Sequence, residues 1–256
     1  MTLNKRNIMT LIVEKLKQYK TYVDLEKRFS YDFNNSTKLF SEIEKNELDN
    51  ASNTFKRNIK LKELIKVKAN GSYDLTDLNF WIVNNWGGIR TFKRNDKNEE
   101  KIKKFSTQLS ISKLTKDTFN TISSLSKISS FIDPDNYVIY DSRVIYAINW
   151  IIMTSRHGDI RYFPMPTGRN KKILDFDINT IIHLKHLDKY QNGQLFYNHQ
   201  IAYFEFCNLI KILSKAVFDD QTIKPYYLEM LLFTIADNEI FNELKSHTKI
   251  KIKPNR

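Results

Sequence analysis

The sequence predicts an all-α, mostly helical fold. Glycine and proline number only six and five among 256 residues, so few positions force the chain to stop a helix. The apolar residues also recur mainly at helical spacing. Residues 3–18 put Ile8, Leu11, Ile12 and Leu16 on one face, and further helices are expected over 37–47 and 54–67. The second of these carries Phe55, Ile59, Leu61, Leu64 and Ile65. Between 71 and 94 aromatic residues, glycines and bases crowd together, which argues against one plain helix there. Helices are expected again over 98–109 and 117–131, until Asp133-Pro-Asp-Asn136 signals a stop and a turn. After the short apolar run Tyr137 to Tyr140, Asp141 is placed to cap a helix running to Met153, with Val144, Ile145, Ile148 and Ile152 inward. Residues 154–175 form a basic, proline-containing connection, followed by helices over 177–189, 198–217 and 224–245, Pro225 suiting a first turn. Residues 246–256 read as a basic tail. With no internal repeat and no low-complexity linker, the chain reads as a single unit.

The formal charge of +12 and the pI near 9.5 indicate a polyanionic partner, nucleic acid first, because the basic residues are spread along the chain. No run approaches the roughly eighteen apolar residues of a membrane span. The first residues are charged too soon for a secretory signal, so a cytoplasmic protein is expected. Cys207 is the one cysteine, which excludes an internal disulfide and a four-cysteine metal site. His183 and His186 lie one helical turn apart without a suitably spaced acidic or cysteine partner, so no metal and no cofactor is expected.

The segment Tyr137-Val-Ile-Tyr-Asp-Ser-Arg-Val144 is where chemistry enters. It resembles the aspartate element of the helix-hairpin-helix DNA glycosylase superfamily, Val-x-Val-Asp-(Thr/Ser/Val)-His-(Val/Met), and within it the 8-oxoguanine glycosylase-like branch. Arg143 stands where that family commonly has His, and Lys127, fourteen positions before Asp141, falls near the family's lysine. Ile122-Ser-Ser-Leu-Ser126 replaces the family's Leu-Pro-Gly-Val-Gly hairpin, and the interval from lysine to aspartate is shorter than usual. The resemblance covers about residues 115–153. It implies two helical lobes, about 1–110 and 111–256, around a cleft that receives double-stranded DNA with a modified base.

On that reading Asp141 is the catalytic carboxylate, because breaking a base–sugar bond develops positive charge on the sugar. Lys127 would be the amine nucleophile of a lyase-competent enzyme. Ser124 and Ser126 would point backbone N–H groups at a phosphate, with Arg143, Arg90, Lys93, Arg94, Arg169 and Lys171 as further DNA contacts. Trp81, Trp86 and Gly87 would form the pocket for a flipped base. Each has a plainer alternative. Asp141 can serve only as an N-cap, Lys127 as a solvated lysine and Trp81 as core. Glu205 and Glu229 sit inside apolar helices, where a carboxylate either has a raised pKa or pairs with a base at the helix edge. The expected function is a DNA glycosylase of base-excision repair or of defence against modified phage DNA. The alternatives are a catalytically silent helix-hairpin-helix DNA-binding module and a helical interaction domain whose charge is incidental.

Overall fold

The computed structural model describes residues 3–71, 74–155, 161–167, 170–186 and 195–249. Arg169 and residues 250–256 of the basic tail lie outside these. The described residues are mostly helical and contain no strand, only an isolated bridge between Tyr162 and Phe196. None of the described helices is long and apolar enough to cross a membrane.

The N-terminal half contains α1 (Leu3–Tyr22), α2 (Leu25–Arg28), α3 (Glu42–Asp49), α4 (Thr54–Ala69), α5 (Leu75–Trp81) and α6 (Asp96–Ser110). After these come α7 (Lys116–Asn120), α8 (Ile122–Ile132), α9 (Ser142–Thr154), α10 (Lys171–Leu174) and α11 (Ile178–Lys185). The last helices are α12 (Ala202–Phe218), α13 (Tyr226–Ile235) and α14 (Phe241–His247). One apolar cluster runs from Ile12 on α1 to Leu244 on α14 and includes residues on both sides of position 110. Helix α9 lies at its centre: every side chain from Val144 to Met153 is buried, against α1, α11 and α13. Such all-round burial explains why its sequence is apolar on every face.

Several helix starts follow side-chain chemistry. Ser41 and Glu44 form a capping box on α3, and Asn53, Asn95 and Thr115 cap α4, α6 and α7. The structure departs from the expected helices at two places, Thr121 and residues 236–240, while the irregular backbone at 82–86 falls in the stretch expected not to be one plain helix. The helix expected over 117–131 is broken at Thr121, whose φ of −111° and ψ of 15° end α7 before α8 begins. Residues 122–126 therefore form the first turns of α8 and not a hairpin. A π-helical turn, Ile82–Trp86, follows α5, and another, Ala236–Ile240, joins α13 to α14 within the span expected to be one helix. The first leads into Gly87 and Gly88, the latter at a φ of 66° that favours glycine.

Candidate active site

Asp133 accepts hydrogen bonds from the N–H groups of Asn136 and Tyr137, and this turn reverses the chain after α8. Residues 138–140 then run buried and outside any helix. Two side chains from distant elements hold them: the Ser126 hydroxyl accepts from Tyr140 N at 2.9 Å, and Glu229 Oε2 accepts from Ile139 N at 2.8 Å. These bonds satisfy backbone donors that have no sheet partner. Asp141 follows with φ −102° and ψ 154°, and its Oδ1 accepts from Arg143 N at 2.9 Å, capping α9. The carboxylate is half-buried and faces a cavity of about 1030 Å³.

Lys127 lines the same cavity from α8. It is 6% exposed, and its Nζ donates to Ser123 O at 2.7 Å. Burial pushes its amine below the usual lysine value, while the charges of Asp141 and Glu229 pull it back up. The aliphatic stem passes over Gly87. A Cβ there would lie 2.7 Å from Lys127 Cδ and 2.6 Å from Val83 O, so only glycine leaves room for the lysine.

Asp237, carried by the second π-turn, binds Arg143 Nε at 3.0 Å and Asn170 Nδ2 at 2.9 Å. The Arg143 guanidinium also lies 4.6 Å from the centre of the Phe233 ring. Phe233 packs edge-on to Tyr31 with centroids 5.8 Å apart, and Tyr31 donates its hydroxyl to Trp86 O at 2.7 Å. Burial, with Asp141 nearby, pushes the Tyr31 phenol up to about 12. Phe29, Tyr31 and Phe233 form an aromatic wall of the cavity, while Arg90, Asn98 and Lys101 are also among its lining residues.

The cavity brings together Asp141, Lys127, Ser124, Arg143, Arg90, Trp86 and Gly87 from the sequence-derived site. Its other members lie elsewhere. Trp81 is packed edge-on against Phe33 and Phe40 and is 5% exposed, so no base can stack on it. Trp86 reaches the cavity but is locked, its Nε1 donating to Asn58 Oδ1 at 2.8 Å and its ring against Phe131. Ser126 is fully buried with its hydroxyl bound to Tyr140 N, which removes it from any phosphate. Arg94 pairs with Asp77 and Glu99, and Lys93 and Lys171 are exposed outside the cavity lining. Arg169 falls outside the described residues. Glu205 is exposed, whereas Glu229 is 5% exposed and burial raises its pKa.

Sequence reasoning missed Tyr31, Phe233, Asp237 and Lys62. Lys62 left a signal: on α4 it interrupts the buried stripe Phe55, Asn58, Leu61 and Ile65. Among the described residues no group of acidic, histidine or cysteine side chains could hold a metal, and His186 instead meets the Tyr162 hydroxyl at 2.9 Å. No family model matches the chain, and no curated protein or solved structure matches it.

Proposed function

We propose that the chain is a DNA glycosylase that draws a modified base out of a duplex and cleaves its N-glycosidic bond. The observation that carries this reading is the meeting of Asp141 and a buried Lys127 at one cavity wide enough for a flipped nucleotide. Asp141 stabilises the positive charge that grows on the sugar as the base departs with the bonding electrons. Lys127, whose amine burial pushes towards the neutral form, bonds to C1′ through Nζ and sheds a proton, which O4′ takes up as the resulting adduct opens to an imine. Phe233 and Tyr31 replace Trp81 as the faces against which the base stacks. Arg90 and Lys101 meet the flanking phosphates, which fits a protein of net charge +12. Repair and defence against modified phage DNA use the same chemistry here.

The test is incubation of the purified protein with duplexes bearing a panel of modified bases, followed by detection of abasic sites. Abasic product on one or more duplexes is expected, together with a borohydride-trapped DNA adduct that disappears in Lys127→Met. DNA binding with no abasic product across the panel would leave Asp141 as an N-cap alone and the protein as a binding module.

A further inference from the structure

Two more charged side chains lie directly behind the catalytic candidates. Lys62 is 0% exposed and Glu229 is 5% exposed, which is costly for charges without compensation. Lys62 is wedged between α8 and α13. Its Nζ is 3.3 Å from both Oγ and O of Ser130, 4.3 Å from the Phe131 ring centre and 5.6 Å from that of Tyr226. Tyr226 is one turn from Glu229 on α13. Ser130 is one turn from Lys127 on α8, and its hydroxyl donates to Lys127 O at 2.9 Å. Glu229 in turn accepts from Ile139 N, two residues before Asp141.

We infer that Glu229 holds the Asp141 segment in place through Ile139 N–H, and that Glu229 and Lys62, which line one cavity with Lys127, together set the electrostatic surroundings of the Lys127 amine. Without Lys62, an ionised Glu229 would be sealed in an apolar interior with one backbone donor. Without Glu229, Ile139 N–H would be buried and unmatched. The other ionisable groups that line the cavity with Lys127 are Asp141 ahead of α9, Arg143 in its first turn, Arg90 after the glycines, Lys101 on α6 and Tyr31 between α2 and α3. The π-turn Ile82–Trp86 contributes none. Among the described residues Lys62 and Glu229 are, beside Lys127 itself, the ionisable side chains of Lys, Arg, Asp and Glu that are buried, and in a low-dielectric interior a positive Lys62 and a negative Glu229 act on Lys127 in opposite directions. Their use in catalysis rests on the glycosylase reading, but their action on Lys127 does not.

The test is a pH titration of the Lys127 side-chain nitrogen by NMR on the whole protein, with the resonance assigned through Lys127→Met. Glu229→Gln keeps an acceptor for Ile139 N–H but removes the negative charge, and the Lys127 midpoint is expected to fall by about one pH unit. Lys62→Met removes the positive charge, and the midpoint is expected to rise by about as much. In Glu229→Leu, hydrogen exchange at the Ile139 amide is expected to quicken about tenfold, while Glu229→Gln leaves it protected. A midpoint unmoved in Glu229→Gln, or moved the same way in both charge variants, would overturn the electrostatic role. Unchanged Ile139 exchange in Glu229→Leu would overturn the positioning role. No DNA enters these measurements, so their failure is distinct from the absence of abasic product.

Discussion

One carboxylate at Asp141 both caps α9 and faces the cavity, and two substitutions separate these tasks. Asparagine caps helices as well as aspartate, so Asp141→Asn is expected to melt with the wild type, whereas Asp141→Ala loses about 1 kcal/mol. Equal destabilisation by both would mean that the charge, not the cap, matters to stability; chemical denaturation decides it. Lys127 gives a second test at this scale. Its amine titrates below the ordinary value of 10.5 because burial disfavours the charged form. Between the folded and unfolded pKa values the unfolded chain holds a proton that the folded chain lacks, so wild-type stability drops as pH falls through that window. Lys127→Met escapes this loss. Its melting temperature is expected to exceed that of the wild type at pH 7, with the gap closing towards pH 10.5. The underlying free energy is about 1.4 kcal/mol for each pH unit of depression. A gap that does not vary with pH would contradict a buried amine. Asp141 and Glu229 were legible in the sequence as a helix-opening carboxylate and a carboxylate within an apolar helix. Asp237 was not, because its pairing with Arg143 depends on a π-turn that leaves the apolar pattern of 224–245 intact.

At the scale of elements, most helices could be read from apolar spacing, as with Phe55 to Ile65 on α4, and α9 also from its capping residue Asp141. The break at Thr121 was hidden because Phe119 and Ile122 keep helical spacing across it. The π-turn at 236–240 was hidden for a related reason: one extra residue per turn leaves the neighbouring apolar positions buried, whereas the crowding of aromatic residues and glycines over 71–94 already argued against a plain helix around 82–86. Yet these irregular places shape the cavity. The turn at 82–86 delivers Gly87 beneath Lys127, and the turn at 236–240 delivers Asp237 to Arg143. Gly87→Ala would force Val83 O or the lysine stem to move, at an expected cost of about 1–3 kcal/mol. Borohydride trapping in that variant is expected to fall more than DNA binding does. Trapping at the wild-type level in a folded Gly87→Ala protein would show that the lysine stem need not lie where it does.

Over the whole molecule, the charge of +12 supports the proposal that the cavity around Asp141 meets a polyanion. Affinity for duplex DNA is expected to fall steeply with salt, with a slope of about −0.9 in log K against log salt for each phosphate neutralised. Arg90→Ala is expected to reduce that slope by about one. A shallow slope in the wild type would favour an interaction domain over a DNA enzyme. The charge and the helical class were plain from composition, whereas the convergence of α4, α8, the aspartate segment and α13 on one cavity is a matter of tertiary packing that no local pattern contains. The central claim is that this convergence performs chemistry on DNA. Its most direct test is abasic-site formation by wild type and Asp141→Asn at equal DNA occupancy. Cleavage by the wild type is expected, with a loss on the order of 10²–10⁴-fold in the variant and its melting temperature unchanged. Equal product from both proteins would contradict it.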